Sequence, residues 1–312
     1  MNTTSGTRAL SIPAPLLDAV DEALNLLDEH SGYWLPAAAG SDPLPSLLEQ
    51  CQRISAEVAA RQPEPIRTLH HFACTGGTLF SKLLAASANT QVLSEIDPLS
   101  SLPKYGFAPS DLILQLRYST HSVTNDLLVD IFTAGLQVLY EHSCKFGERL
   151  VLRDHSHSHF CTQQEIGKRP TLLQIVQELT PAVSAVTVRH PLDSFLSLTL
   201  NGWVHFAPAS LNEYARRYLM FLDAYDGLPI FKYEDLTASP QETQEKLCAA
   251  LQLPFDPDVY ELISAVSLTG DSGRSSGVIG QRERRPVPDN IALERESGAD
   301  YILLCQRLGY ES

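Results

Sequence analysis

Short β-rich segments alternate with longer helical patterns from about residue 66 onward, and this alternation constrains the fold more than any other feature of the sequence. A helix is predicted within 123–142, where apolar residues form one stripe. Another is predicted to start at Ser239, where Ser-Pro-Gln-Glu combines a capping serine with a proline at the first helical position. The predicted strands lie at about 66–74, 91–95, 149–155, 182–189 and 229–233. Such alternation is typical of βαβ units, so we expect an α/β fold, a three-layer sandwich around a mostly parallel sheet.

The first 65 residues differ in character from the rest. Apolar residues recur at helical spacing between Leu16 and Leu27, and a second amphipathic stretch covers about 44–60. The sequence therefore predicts an N-terminal helical extension over 1–65 and an α/β domain over 66–312.

The chain is acidic, with 23 Lys and Arg against 37 Asp and Glu and a net charge of −14. This balance disfavours nucleic acid as a partner, because nucleic-acid-binding proteins present a basic face. Apolar runs fall short of the roughly 18 residues that a membrane helix needs, and residues 1–8 precede no signal-like apolar core. Six cysteines without a CxxC pair are typical of a reduced compartment. We therefore expect a cytoplasmic location and no membrane association.

A glycine-rich turn joins the first predicted strand to a helix, within the segment from Thr68 to Leu84. Gly76 and Gly77 allow a positive φ and a close approach of backbone to ligand, and a helix start presents unpaired N–H groups to an anion. The spacing is not the GxxxxGK[ST] of a Walker A loop. The segment predicts either an anion-binding loop or a plain strand–turn–helix corner.

A second segment favours the anion-binding interpretation. Residues 185–197 predict a buried strand that ends in Arg189, then a turn and a helix that carries Ser197. Open α/β sheets bind ligands at the carboxyl ends of their strands, so Arg189 and Ser197 are placed to share one phosphate. The alternative is an ion pair at the sheet edge for Arg189 and a surface hydroxyl for Ser197.

Together these segments resemble the sulfotransferases that use 3′-phosphoadenylyl sulfate (PAPS). In that family the first strand–loop–helix binds the 5′-phosphosulfate, and an Arg and a Ser at the spacing of Arg189 and Ser197 bind the 3′-phosphate. Tyr233-Glu-Asp-Leu236 is similar to the family's Y-E-D-L segment, and residues 275–280 are similar to its late G-x-x-G loop.

The resemblance implies the P-loop sulfotransferase fold, with PAPS as co-substrate, 3′-phosphoadenosine 5′-phosphate (PAP) as product and no metal. The nucleotide-binding residues that it implies are Cys74, Thr75, Gly76, Gly77, Thr78, Leu79, Arg189, Ser197, Tyr233, Ser275, Ser276 and Gly277.

The sequence departs from that family at one position of the loop. The family usually carries a Lys or Arg where this chain has Cys74, and the cation stabilises charge on the leaving phosphate oxygen. A neutral thiol does not supply that charge. Lys82, Arg153 and Lys104 are the candidates for a substitute cation, and each is otherwise a solvent-facing charge.

Two residues are candidates for the base that removes the acceptor's proton. Glu95 follows the second predicted strand, where the carbohydrate- and protein-modifying branches of the family place a catalytic Glu. His155 follows Arg153-Asp154, where the soluble branch places a catalytic His, and an imidazole suits work at neutral pH. Glu95 is slightly favoured, and both stay open.

His155, His157 and His159 alternate, and on a strand they would share a face and mimic a metal site. No fourth ligand is indicated, so we expect no metal. The polar run from 153 to 159 indicates that the chain soon leaves the strand.

The leading hypothesis is a PAPS-dependent sulfotransferase that acts on a hydroxyl or amine of an unidentified small-molecule or other acceptor. The alternatives are a P-loop phosphotransferase, which would need Mg²⁺ and an acidic strand end, and a PAP- or PAPS-binding protein without turnover. The helical extension over 1–65 is expected either to cover the cleft or to form a homodimer. Aromatic residues that would line an acceptor pocket, or simply pack, are Tyr105, Phe107, Phe160, Trp203 and Phe206.

Overall fold

The computed structural model describes residues 22, 25, 46–60, 63–102, 108, 110–269, 279–280 and 284–312. The chain divides into two units, residues 1–62 and 63–312. In the first unit, helix α1 (Leu47–Ala60) lies within the amphipathic stretch predicted from the sequence. Ser46 and Glu49 cap it reciprocally, the Ser46 hydroxyl accepting from Glu49 N–H and the Glu49 carboxylate accepting from Ser46 N–H. The helix predicted around residues 16–27 lies almost entirely outside the described residues.

The second unit contains a five-stranded, all-parallel sheet in the order β2-β3-β1-β4-β5. Its strands are β1 (Ile66–His71), β2 (Thr90–Ile96), β3 (Arg149–Asp154), β4 (Ala182–Val188) and β5 (Ile230–Lys232). The predicted α/β class and all five predicted strands are confirmed.

Helices connect the strands and cover both faces of the sheet. They are α2 (Gly77–Ala86), α3 (Leu112–Arg117), α4 (Asn125–Phe146), α5 (Ser156–Phe160), α6 (Leu172–Leu179), α7 (Pro191–Leu200), α8 (Leu211–Ala224), α9 (Tyr233–Ala238), α10 (Pro240–Ala250), α11 (Val259–Leu262), α12 (Asp289–Ser297) and α13 (Ala299–Leu308). The searched part of the chain contains no helix long and apolar enough to cross a membrane.

Strand alternation sends successive side chains to opposite faces and so builds the three layers. On one face, Leu69, Val151 and Ala185 pack with apolar residues of α2 and α10. On the other face, one cluster joins Leu150 and Leu152 to α4 and α6, and a second joins Val186 and Val188 to α7 and α8. The predicted three-layer sandwich is confirmed.

Helix ends follow local chemistry, with one exception. Helix α4 begins after Thr124, whose hydroxyl accepts from Leu127 N–H, and ends at Gly147 in the left-handed conformation. Helix α10 begins at Pro240 as predicted, but the Ser239 side chain makes no capping hydrogen bond. Its backbone N–H instead closes the preceding helix α9 on Asp235 O, so Ser239 joins two helices and does not start one from a loop.

The neighbouring strands β1 and β4 lead to opposite sides of the sheet, β1 to β2 at one edge and β4 to β5 at the other. Parallel sheets bind ligands at such a switch point, beyond the carboxyl ends of the strands. Most of the site residues predicted from the sequence occupy this edge of the sheet.

Candidate active site

The loop after β1 holds two glycines that no other residue could replace without displacing a neighbour. Gly76 has φ +85°, and a Cβ there would lie 2.3 Å from Cδ2 of Tyr233. A Cβ on Gly77 would lie 2.4 Å from Cγ of His71. The loop is closed on itself, since Thr75 donates through its hydroxyl to Phe72 O at 2.8 Å. The Tyr233 and His71 side chains therefore pack directly against the backbone at the start of α2.

The loop's remaining predicted residues serve different roles. Thr78 Oγ1 accepts a hydrogen bond from Arg153. The Leu79 side chain is buried in the core cluster under α2, and its N–H donates to Gly76 O. Leu79 therefore anchors the loop to the hydrophobic core under α2.

Cys74 lies where two arginines and two polar side chains converge. Its backbone has φ +63°, in the left-handed region that non-glycine residues seldom occupy. Burial raises the pKa of the Cys74 thiol to about 11, and it does so against hydrogen bonds from Ser197 and Asn201 and the charges of Arg189 and Arg285. The thiol is therefore neutral at pH 7.

The predicted pair Arg189 and Ser197 is thus brought to one place, beside Cys74. Arg189 follows β4, and Ser197 lies in the second turn of α7. The Arg189 backbone N–H donates to the Tyr218 hydroxyl at 3.2 Å. This hydrogen bond fixes the main chain at the point where the strand ends.

Arg153, at the end of β3, is the predicted substitute cation that contacts the loop. Its side chain is only 3% exposed. Nη2 donates to Thr78 Oγ1 at 2.9 Å, and Nε donates to His71 Nε2 at 3.0 Å. Burial and the charge of Arg153 lower the pKa of His71 well below its usual value, so His71 is a neutral acceptor.

Of the other candidate cations, Lys82 is half-buried within α2, and Lys104 lies outside the described residues.

The two candidate bases lie side by side. Glu95 Oε1 is 2.7 Å from Arg153 Nη2, and Glu95 Oε2 is 3.4 Å from His155 Nε2. Glu95 has φ +61°, and the pairing of β2 with β3 is irregular between Leu93 and Ile96. A bulge of this kind re-aims a side chain, here toward the ends of β3 and β1.

The histidine run differs from the strand-like alternation considered above. Strand β3 ends at Asp154, and Ser156–Phe160 form helix α5, so His157 and His159 are not strand residues. The Ser156 hydroxyl donates to His71 O and turns the chain out of the sheet. Among the residues searched, no group of His, Cys, Asp or Glu could hold a metal ion.

Several other predicted residues fall elsewhere. Ser275, Ser276 and Gly277 lie outside the described residues, as do Tyr105 and Phe107. Phe160 and Phe206 are core residues, 1% and 3% exposed, while Trp203 is exposed.

The sequence reasoning missed several residues at this edge. Arg285 and Asn201 accompany Arg189 and Ser197 around Cys74. Ser94 Oγ accepts from Arg153 Nη1 at 2.9 Å. Of these residues, only Arg285 carries a signal in the sequence, because it lies in the arginine-rich stretch after 281.

A buried polar chain lies behind the site. Asp154 Oδ2 is 2.8 Å from His70 Nδ1 and accepts from the Tyr225 hydroxyl at 2.6 Å. His70 Nε2 is 2.8 Å from Thr68 Oγ1. Because Asp154 lies between Arg153 and His155, this chain ties the end of β3 to β1.

Glu234 links the two turns that present Arg189 and Tyr233. Its Oε1 accepts from His190 N–H at 3.0 Å, and its Oε2 accepts from the Tyr310 hydroxyl at 2.7 Å. Arg189 and Tyr233 are therefore held in fixed relation by the residues that follow each of them.

Comparison with known proteins finds similarity only at the level of structure. No protein-family model matches the sequence, and no curated protein matches it. The sulfotransferase domain from the curacin biosynthetic pathway is 16% identical, with 81% of this chain and 99% of that one covered and a TM-score of 0.48. The sulfotransferase domain from the Synechococcus PCC 7002 olefin synthase is 19% identical, with 81% and 97% covered and a TM-score of 0.46.

Mouse sulfotransferase SULT7A1, solved in complex with PAP, is 10% identical, with 81% of this chain and 88% of that one covered and a TM-score of 0.40. These three structures are sulfotransferases.

Proposed function

We propose that the protein is a sulfotransferase that moves the sulfuryl group of PAPS onto a hydroxyl or amine of a small-molecule acceptor. The observation that carries the proposal is the arrangement of cations around the glycine-rich loop. Arg153 contacts the loop at Thr78, and Arg189 and Arg285 lie on its other side near Cys74. In a chain of net charge −14, such a grouping favours an anionic ligand with two charged ends.

The residues present fit a nucleotide of this kind. Gly76 and Gly77 let the Tyr233 and His71 side chains pack directly against the backbone at the start of α2, so these two side chains border the loop. Thr187, at the end of β4, has a buried hydroxyl without a hydrogen-bond partner among the described residues. An unpaired buried hydroxyl is typical of a site that a polar ligand completes.

The residues divide into two groups by the end of the nucleotide that they would hold. Thr78, Arg153 and the N–H groups at the start of α2 would hold the 5′-phosphosulfate. Arg189 and Ser197, with Arg285 beside them, would hold the 3′-phosphate. We propose that Arg153 replaces the loop cation that Cys74 does not provide.

PAPS supplies an activated sulfuryl group. As the acceptor's oxygen or nitrogen bonds to sulfur, the bond between sulfur and the 5′-phosphate oxygen breaks, and its electron pair leaves with PAP. Arg153 is placed to stabilise the negative charge that develops on the phosphate side. The acceptor's proton passes to the pair formed by Glu95 and His155. No metal has a part in this scheme.

The phosphotransferase alternative requires a free carboxylate near Thr78 to hold Mg²⁺, and the Glu95 carboxylate is instead paired with Arg153 at 2.7 Å. Asp154 is the carboxylate next to the loop strand, but both its hydrogen bonds, to His70 and Tyr225, lie on the face of the sheet opposite Arg153. It is therefore not placed to hold Mg²⁺ at Thr78.

Calorimetric titration with PAP, and with ATP in the presence and absence of Mg²⁺, tests the proposal. We expect micromolar, metal-independent binding of PAP and much weaker binding of ATP. Tighter binding of ATP with Mg²⁺ would favour the phosphotransferase. Binding of PAP without turnover of PAPS across a panel of phenols, alcohols and amines would favour a binding protein.

A further inference from the structure

We infer, on the basis of the proposed function, that Glu95 couples donor binding to the base. Its carboxylate is held by Arg153 in the free protein and moves to His155 when the donor's 5′ end binds Arg153. Glu95 contacts both groups, at 2.7 Å from Arg153 and 3.4 Å from His155.

Arg153 has no hydrogen-bond donor to spare. An arginine side chain carries five N–H donors. Nε donates to His71, and Nη1 donates to Ser94 Oγ and Thr269 O. Nη2 donates to Thr78 and lies against Glu95. An anion that binds Arg153 must therefore replace one of these partners.

Glu95 is the partner that an anion replaces most readily. It is the one negatively charged group in this set, so it is repelled by a phosphosulfate at Thr78. Its side chain is 18% exposed, and its φ of +61° is unfavourable for a non-glycine residue. The other partners include a buried histidine and a main-chain carbonyl, which are fixed by the sheet and the chain.

His155 is the group that receives the displaced carboxylate. A Glu95 carboxylate against Nε2 holds the Nε2–H tautomer and leaves Nδ1 as the basic atom. The acceptor's proton then passes to Nδ1, and the ion pair with Glu95 stabilises the imidazolium formed. The base is thus prepared only when the donor is in place, which protects PAPS from transfer to water.

The test is PAP affinity of Glu95→Gln, measured by calorimetry beside adenosine 3′-phosphate, which lacks the 5′ group. We expect PAP to bind about three- to tenfold tighter than to the wild type, because a competing charge is removed. Adenosine 3′-phosphate should bind with unchanged affinity, since its single phosphate belongs at Arg189.

Glu178→Gln is the matched control. Glu178 is exposed on α6, which leads into the amino end of β4, so the variant makes the same charge change away from the site. Equal tightening of both nucleotides, or equal tightening in the control, would mean a general charge effect and would overturn the inference. Unchanged or weaker PAP binding to Glu95→Gln would overturn it too.

His155→Leu tests the second half of the inference, because leucine offers the Glu95 carboxylate no donor. Without its alternative partner Glu95 stays on Arg153, so PAP should bind about threefold more weakly than to the wild type. The double variant with Glu95→Gln should bind like Glu95→Gln alone. If Glu95→Gln does not fold, Glu95→Ser takes its place. Failure of the wild type to bind PAP would overturn the proposed function itself, a result distinct from all of these.

Discussion

The guanidinium carbon of Arg189 lies 4.8 Å from the centre of the Tyr233 ring. That ring also lies against Gly76, where it occupies the space of a Cβ. Three segments that are far apart in the sequence thus meet through one aromatic side chain. Tyr233 is therefore a spacer between the loop and the arginine, held from behind through Glu234.

Removal of the Arg189 side chain should weaken PAP binding strongly. For Arg189→Ala we expect a loss of about 1.5–3 kcal/mol, the range for a charge-assisted hydrogen bond, which is about ten- to 150-fold in Kd. Arg189→Lys should recover only part of it, because lysine lacks the planar group that stacks on Tyr233. Arg216→Ala, on the exposed side of α8, is the control. Unchanged PAP affinity in Arg189→Ala would remove Arg189 from the nucleotide site.

Gly76→Ala should lower both stability and PAP affinity. Left-handed backbone costs a non-glycine residue about 1–2 kcal/mol, and the new methyl group would also push Tyr233 away. Gly227→Ala separates the two effects, because Gly227 has φ +79° but nothing within 4 Å of its Cβ position. Denaturant unfolding should show a larger loss of stability for Gly76→Ala than for Gly227→Ala. PAP titration should show a loss of affinity for Gly76→Ala alone. Equal losses of stability in both variants would mean that the Tyr233 side chain can move away from the new methyl group at little cost.

Alkylation should be slow at Cys74. Its pKa of about 11 leaves about one thiolate in a thousand at pH 8, and the rate should rise about tenfold per pH unit toward pH 11. Exposed Cys51 and Cys144 serve as internal references in a peptide map after iodoacetamide treatment. PAP should slow the reaction at Cys74 further. Labelling of Cys74 as fast as the exposed thiols would show that the loop stabilises a thiolate.

His159 should make the protein less stable in mild acid. Burial, with the charge of Arg169, lowers the pKa of His159 to about 4, so the folded protein resists a proton that the unfolded chain accepts below about pH 6.5. Stability should therefore fall as the pH drops from about 6.5 to 4, by up to about 3 kcal/mol from this residue.

The measurement is the free energy of unfolding against pH for the wild type and His159→Gln. The variant should show a shallower fall between pH 6.5 and 4, whatever its stability at pH 7. His121→Gln, at an exposed position, should leave the slope unchanged. A slope in His159→Gln equal to that of the wild type would mean that the pKa of His159 is the same in the folded and unfolded states.

The sheet could be predicted because the hydrophobic patterns of strands and helices are visible within short stretches of sequence. The Arg189–Ser197 pair could be predicted for the same reason, since its two residues lie only eight positions apart. The relation of Glu95 to Arg153 could not, because it depends on a left-handed residue and a bulge that residue types do not indicate. Arg285 reaches Cys74 only through the tertiary fold. The alternation of the histidines after β3 imitates the pattern of a strand, so the sequence left open that they belong to one. The hydrogen bond from the Ser156 hydroxyl to His71 O instead turns the chain out of the sheet.

The end of β3 has one further consequence. Arg153 turns toward α2 and the loop, whereas Asp154 turns to the opposite face and His70. An insertion or deletion of a single residue before Arg153 would exchange these directions, and it would drive the guanidinium into the layer built by α4 and α6. The length of β3 is therefore constrained. Evolution can change the chemistry at residues 153–155 by substitution, but not by the insertion or deletion of one residue.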